Sequence, residues 1–308
     1  MRVCFVGAGS IGIRHIRNLV SVCKDRKQSA TIDLLRSTDR ALPNDIKYVI
    51  DKEFMSINEL EQDYDFIFIT NPTYLHYKTI DLLKTYSKHF FVEKPVVSDP
   101  SQDIRKLSLP SDNLYYVACP LRYTKILRYV HDFIQTHKVF SVRAISSSYL
   151  PEWRPHVDYR KTYSADSAKG GGVCIDLIHE WDYLYSFFGK PDLLFQLSGK
   201  FSDLEISSED LAVYIAQYKT FLLELHLDYF GRKTERKLEL YCEDGTYIFD
   251  IISNQVTQND RLVKTFEEEP NDKYVKELEY FFDVCSRKQD NSNDLYHAME
   301  VLKITSGK

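Results

Sequence analysis

The first third of the chain alternates between short, largely apolar runs and longer stretches in which apolar residues recur every three or four positions. Arg2–Val6, Ala30–Leu35, Phe66–Ile69, His89–Val92 and Leu114–Ala118 are the short runs, and apolarity without alternation over so short a length marks parallel strands covered on both faces. The intervening stretches, beginning with Ile13-Arg14-His15-Ile16-Arg17-Asn18-Leu19, carry helical spacing, and a helix after Phe66–Ile69 places His76 in its first turn. Strand and helix in this rhythm predict a doubly wound parallel sheet with its ligand at the carboxyl ends of the strands.

From about residue 120 the pattern changes. A helical stretch from Tyr123 to His137 precedes long strand-like segments at Val139–Tyr149, Leu193–Phe201, Ala212–Tyr218, Phe221–Tyr229, Lys237–Cys242 and Thr246–Ile252, with turn signals such as Glu243-Asp244-Gly245 between them. This predicts an α+β domain on a large, mostly antiparallel open sheet, closed by helices near Asn271–Arg287 and Asp294–Ile304. The expected division is an α/β domain over residues 1–119 and the α+β domain over 120–308, with the last helix a candidate to pack back on the first domain.

A length of 308 residues suits two domains, and 44% hydrophobic with 28% charged residues is ordinary for a soluble protein. A net charge of -5 argues against a general nucleic-acid or anionic-membrane binder. No apolar stretch is long enough to span a bilayer and the chain enters a strand directly, so a cytoplasmic protein is expected. The six cysteines lie far apart with no C-x-x-C pair, which points to reduced thiols rather than a metal site.

The chemistry starts at the first strand's end. Gly7-Ala8-Gly9-Ser10-Ile11-Gly12 is a G-x-G-x-x-G turn between a strand and a helix, the context in which such glycines bind a dinucleotide in a Rossmann domain. Gly7 permits the tight turn, Gly9 lets backbone approach a pyrophosphate, and Gly12 lets the helix pack on the strand; the phosphates sit at the positive helix end. At the end of the second strand an NAD enzyme usually carries Asp or Glu for the ribose hydroxyls, whereas this chain has Arg36-Ser37-Thr38 with Arg40 behind. A guanidinium and hydroxyls suit a 2′-phosphate, so NADP(H) is favoured, with NAD(H) the alternative through Asp33.

Asn71, Lys94 and Arg122 fall just beyond strand ends, and Pro95 biases Lys94 toward an extended backbone. Gly170-Gly171-Gly172 precedes a helix on which Asp176, His179 and Tyr183 share one face, while Leu177, Trp181, Leu184 and Phe188 cover another. Asp176 can orient His179, whose ordinary pKa of about 6.5 suits a base near neutrality; a surface His-Asp pair is the alternative.

Together these residues resemble the glucose-fructose oxidoreductase / inositol dehydrogenase family, Gfo/Idh/MocA. The resemblance rests on Gly7-x-Gly9-x-x-Gly12, Thr70-Asn71-Pro72 with His76, Glu93-Lys94-Pro95, Arg122-Tyr123, and Gly170-Gly171-Gly172 followed by Asp176 and His179. It implies a nicotinamide-dependent oxidoreductase acting on a secondary alcohol or ketone of a sugar or nucleotide-sugar, most like members from surface-polysaccharide or unusual-sugar pathways. Lys94 and His179 are implied as the acid/base pair, with Asp176 binding substrate. Gly7, Gly9, Ser10, Ile11, Gly12, Arg36, Ser37, Asn71, Pro72, His76, Glu93 and Lys94 are the expected cofactor residues. Two residues separate Asp176 from His179 where many members have three, which bears on the role of Asp176 more than on that of His179.

Arg122 and, in the loop Pro151–Lys161, Trp153, Arg154, Tyr159 and Arg160 are candidates to bind substrate, a structural loop being the alternative. No metal, nucleic acid or membrane partner is expected, and the resemblance implies a homodimer or homotetramer. Two other readings stay open: a hydrolase or lyase that oxidises and reduces its nicotinamide within one cycle, and a non-catalytic NADP(H) sensor.

Overall fold

The computed structural model describes residues 1–307. In chain order its elements are β1 (Arg2–Val6), α1 (Ser10–Asp25), β2 (Thr31–Leu35), α2 (Asn44–Lys47), β3 (Lys52–Phe54), β4 (Phe66–Ile69), α3 (His76–Leu83), β5 (His89–Val92), β6 (Leu114–Val117), α4 (Lys125–Phe133), β7 (Val139–Tyr149), α5 (Val173–Asp176) and α6 (Ile178–Phe188). Then follow β8 (Leu193–Gly199), β9 (Leu211–Gln217), β10 (Leu222–Asp228), β11 (Phe230–Cys242), β12 (Gly245–Asp250), β13 (Gln255–Gln258), β14 (Arg261–Thr265), α7 (Asp272–Cys285) and α8 (Leu295–Thr305). Contacts within the chain define two units: Met1–Pro120 with Asn271–Glu300, and Leu121–Pro270 with the residues from Val301 onward.

In the first unit six parallel strands run in the order β3-β2-β1-β4-β5-β6, the doubly wound Rossmann arrangement that the apolar runs predict. Val3, Cys4, Phe5, Ile67, Phe68, Ile69, Phe90, Phe91 and Val92 are fully buried, which accounts for unbroken apolarity where a half-exposed strand would alternate. The strand order reverses between β1 and β4, whose last residues Val6 and Ile69 are in register, so the crevice where open α/β sheets bind ligands opens at those two ends.

Phe68 lies between Phe5 and Phe91, with ring centroids 4.5 and 5.1 Å away. Phe281 of α7 meets Phe66, Phe68 and Phe91 at 5.7, 5.8 and 5.4 Å. This aromatic packing is the physical reason that residues 271–300, expected with the second domain, belong to the first. β3 is an addition: Lys52-Glu53-Phe54 is too short and polar to stand out in the pattern, and it is held by register with Asp33, Leu34 and Leu35.

The second unit is an eight-stranded sheet in the order β14-β13-β12-β11-β7-β10-β9-β8, antiparallel throughout except for the β7–β10 pair, in line with the expected mostly antiparallel open sheet. One face buries Tyr214, Leu223, Leu225, Leu238, Leu240 and Phe249, with Trp181 of α6 against Tyr214 and Tyr129 of α4 against Phe249. The other face leaves Leu193, Phe195, Leu197, Ile215 and Leu222 exposed. β13 and β14 went unforeseen because the hairpin is polar, β14 being exposed at every residue. Among the described residues no helix is long and apolar enough to cross a membrane.

Candidate active site

The turn after β1 is built by close approach. Gly7 has φ +104°, and a Cβ there would sit 2.8 Å from the Asn71 backbone at the end of β4. A Cβ on Gly12 would overlap the Gly7 carbonyl and lie 2.8 Å from Thr70 Oγ1, whose hydroxyl donates to the Gly7 carbonyl at 2.8 Å. Gly9 differs: a Cβ there meets nothing within 4 Å, so its surface faces open space. α1 starts at Gly9 without a side-chain cap and without an acidic residue in its first turn, and its first internal bond runs from Ile13 N to the Gly9 carbonyl. Unpaired N–H groups, a positive helix end and open space above Gly9 fit a dinucleotide pyrophosphate.

His76 occupies a different place from the one its motif implies. It is fully buried, with Nε2 2.9 Å from the Asn71 carbonyl and Nδ1 3.1 Å from the Pro95 carbonyl. Burial pushes its pKa down against the pull of these carbonyls. Both nitrogens face backbone carbonyls, and whichever carries the proton donates to one of them, so His76 packs between the end of β4 and the segment after β5 rather than facing a cofactor. Asn71 is fixed from its side chain as well, Nδ2 donating to Thr79 Oγ1 at 2.8 Å.

Glu93 also faces inward: Oε1 lies 2.6 Å from Nε2 of the buried His15 on α1, and Oε2 accepts the Lys94 N–H at 3.2 Å. Burial alone would raise the Glu93 pKa, but the His15 hydrogen bond and the positive charges around it outweigh burial and hold the carboxyl below its ordinary range. Lys94 itself is half-buried, on a cis peptide to Pro95. His15 was not foreseen; its only sequence signal is its place on the buried face of α1 with Ile16 and Leu19.

At the other end of the turn region, Arg36 follows β2 and its N–H extends the ladder to the Phe54 carbonyl at 3.0 Å. Its guanidinium reaches Glu53 Oε2 of β3 at 2.5 Å and the Arg40 carbonyl. Ser37 is exposed beside it. Asp33 is removed as the ribose-binding alternative, because it is buried within the sheet, pairs across to Cys4, and accepts from Arg2 Nη2 at 3.1 Å and Tyr64 Oη at 2.8 Å.

In the second unit the glycine run is again dictated by proximity. A Cβ on Gly171 would strike the Tyr163 carbonyl, and one on Gly172, at φ +143°, would strike the Glu209 carboxylate. Glu209 receives the first N–H groups of α5, Val173 N on its carbonyl at 3.1 Å and Cys174 N on Oε1 at 3.3 Å, and burial pushes its pKa up. The single helix expected here is two: α5 ends at Asp176, Leu177 breaks the helix at φ -95°, ψ 23°, and α6 starts at Ile178. Asp176 and His179 are therefore on separate segments, both half-buried, and Tyr183 is fully buried rather than on a polar stripe.

Asp176 Oδ2 accepts a 2.6 Å hydrogen bond from Tyr229 Oη. Burial, followed by the charge of Asp176, raises the Tyr229 pKa well above its ordinary value, so the phenol keeps its proton. Trp153 packs edge-on to Tyr229 at 5.2 Å and donates from Nε1 to Ser148 Oγ at 2.9 Å, which brings one of the loop candidates to the surroundings of Asp176. Arg122 is held elsewhere: Nε and Nη2 bond both carboxylate oxygens of Asp182 on α6 at 2.8 Å. That bidentate pair ties down α6, one turn after His179.

Arg160 is bound by Asp158 and Glu205 at 2.8 and 3.0 Å, and the Tyr159 hydroxyl oxygen accepts the Glu205 N–H at 3.2 Å. Arg160 borders an open groove of about 720 Å³ that also carries Asp166, Lys200, Asp203 and Glu205, a mixed lining in which a phosphate would have to displace carboxylates. Arg154 is exposed. Tyr229, Glu209, Asp182 and Glu53 went unnoticed in the sequence because each acts through a partner distant along the chain.

Residues 1–108 match the model of the Gfo/Idh/MocA oxidoreductase family, NAD-binding Rossmann fold. Solved structures of low sequence identity share the fold of the whole chain. An oxidoreductase from Thermotoga maritima superposes with a TM-score of 0.82 at 18% identity, covering 99% of this chain and 94% of that one. UDP-N-acetylglucosamine 3-dehydrogenase from Acidithiobacillus ferrooxidans gives 0.78 at 15% identity over 100% and 96% of the two chains. The WlbA dehydrogenase from Bordetella pertussis, solved in complex with NADH and UDP-GlcNAcA, gives 0.77 at 16% over 99% and 92%. No curated protein matches the chain by sequence.

Proposed function

We propose that this chain is an NAD(P)-dependent dehydrogenase or reductase that transfers a hydride between a nicotinamide and a secondary alcohol or ketone of a sugar or nucleotide-sugar. The observation that carries the reading is the glycine turn at the β1/β4 switch point, where the uncapped start of α1 and the open surface of Gly9 offer backbone N–H groups to a pyrophosphate. Bound nicotinamide supplies the hydride chemistry. In this reading His179 takes the hydroxyl proton, Lys94 stabilises the developing alkoxide, and Asp176, its carboxylate fixed by Tyr229, binds substrate. Trp153, packed on Tyr229, offers a ring to a sugar face near Asp176. Thr70, His76, His15 and Glu93 act through the backbone, holding the Asn71 and Lys94 segments in place.

NADP(H) is proposed in preference to NAD(H), on Arg36, Ser37 and Arg40. The related dehydrogenases solved with NADH or named for UDP-sugars support a nucleotide-sugar as the first substrate class to try. A second copy of the chain is proposed as partner of the open sheet, since Leu193, Phe195, Leu197, Ile215 and Leu222 lie on one face of adjacent strands β8, β9 and β10 and are 39–78% exposed. Sedimentation of the wild type against Leu197→Glu tests that pairing.

The deciding experiment is titration of the purified protein with NADPH and NADH, followed by nicotinamide fluorescence, and then a sugar and nucleotide-sugar screen by absorbance of the reduced nicotinamide. Saturable binding with turnover lost in Lys94→Ala and His179→Ala supports the assignment. Binding of neither nucleotide overturns it.

A further inference from the structure

The guanidinium proposed to receive a 2′-phosphate already holds an anion. Arg36 is only 15% exposed at its side chain; Nη2 lies 2.5 Å from Glu53 Oε2, and Nη1 donates to the Arg40 carbonyl. Its Nε is buried with no hydrogen-bond partner. A guanidinium grips a phosphate by presenting two parallel N–H groups, and here one of its outer nitrogens is committed to a carboxylate of the neighbouring strand. Glu53 has no role in the sheet that needs its charge: its backbone pairs with Leu34, and its side chain is 34% exposed. The acidic group that an NAD-type site carries at the end of β2 is therefore present after all, delivered from β3.

We propose that Glu53 is the specificity-determining residue of the adenosine end, an internal competitor that occupies Arg36 and sets the balance between NADPH and NADH. This rests on the cofactor reading above. With Glu53 in place a 2′-phosphate must displace one carboxylate and then tolerate its charge nearby, which narrows the advantage Arg36 gives to NADPH. A ribose 2′-hydroxyl faces no such conflict, because a carboxylate accepts its hydrogen bond.

Binding titrations of NADPH and NADH test this without knowledge of the substrate, on wild type, Glu53→Gln, Arg36→Ala and the double variant. Glu53→Gln is expected to tighten NADPH about tenfold and to change NADH by less than about threefold, and the gain in NADPH affinity is expected to vanish in the Arg36→Ala background. Glu53→Asp, which keeps the charge on a shorter stem, is expected between wild type and Glu53→Gln. Thermal melts confirm that each variant is folded. An unchanged NADPH/NADH ratio in Glu53→Gln, or a gain that persists without Arg36, overturns the proposal while leaving the dinucleotide site standing. Failure of the wild type to bind either nucleotide overturns the cofactor reading and this proposal with it.

Discussion

His15 Nε2 sits 2.6 Å from Glu93 Oε1, joining the first helix of the nucleotide unit to the residue that precedes Lys94. His15 is fully buried and the Glu93 side chain only 11% exposed, so water is a poor substitute for either partner. Replacing His15 by Phe leaves a buried carboxylate without its partner, and a loss of about 3–5 kcal/mol in urea unfolding is expected. The same pair sets an acid limit. A carboxyl whose pKa is lowered on folding contributes stability that is complete above its unfolded value of about 4.3 and is lost as pH falls through the folded value. Stability of the wild type should therefore fall below about pH 4.3, and Glu93→Gln should flatten that part of the curve. An unaltered acid slope in Glu93→Gln would assign the loss to other carboxylates.

Gly9 and Gly12 separate binding from folding. Gly9 has φ -71°, which any residue adopts, and its missing Cβ points to open space, so Gly9→Ala should leave the melting temperature nearly unchanged. It should weaken nucleotide binding at least about tenfold, by blocking backbone approach to the pyrophosphate. Gly12→Ala pushes a methyl into the Gly7 carbonyl and should cost about 2–3 kcal/mol of stability. Equal effects of both on stability would show that Gly9 is a packing glycine.

Arg122 and Asp182 form a bidentate pair in which each side chain is 10% exposed. Removing either alone strands a buried charge, with an expected cost of about 3 kcal/mol, whereas the double replacement should cost much less than the sum. A double-mutant cycle by chemical denaturation measures the coupling. Additive losses would mean that the two groups do not act on each other.

Tyr229 donates its only hydroxyl proton to Asp176 at 2.6 Å. Tyr229→Phe keeps the ring against Trp153 and removes the hydrogen bond, an expected loss of about 1.5–3 kcal/mol because the acceptor is charged. Once a substrate is in hand, a rise in KM larger than the fall in kcat would place Asp176 on the substrate. An unchanged KM would confine the pair to structure.

Much of the architecture is legible along the chain because the physics there is local. Arg2–Val6, Phe66–Ile69 and His89–Val92 have the same bounds in the structure as in the hydrophobic pattern, since strands covered on both faces must be largely apolar whatever surrounds them, and Val139–Tyr149, only partly buried, also keeps its bounds. β3 and β14 follow no such rule: each is polar and owes its conformation to a neighbour's hydrogen bonds. The break at Leu177 is hidden because apolar spacing continues across it into Trp181 and Leu184. In the candidate site the glycines are visible as glycines, while His76 and Glu93, read as facing a cofactor, turn inward. Nothing in a motif says which way a side chain points. The charge of Arg36 is visible in the sequence, but the carboxylate that answers it lies on the next strand.

The return of α7 to the first unit fixes an order of events during synthesis. Phe66, Phe68 and Phe91 are made early, but Phe281, which covers them, is translated only after all six strands of that sheet and the whole second sheet. At typical elongation rates the nascent sheet waits on the order of ten seconds with the place of Phe281 on its aromatic face unfilled, although His15 of α1 already meets Phe68 and Phe91 there. A ribosome that stops before α7 releases a chain whose nucleotide-binding half is present in sequence yet still open on one side.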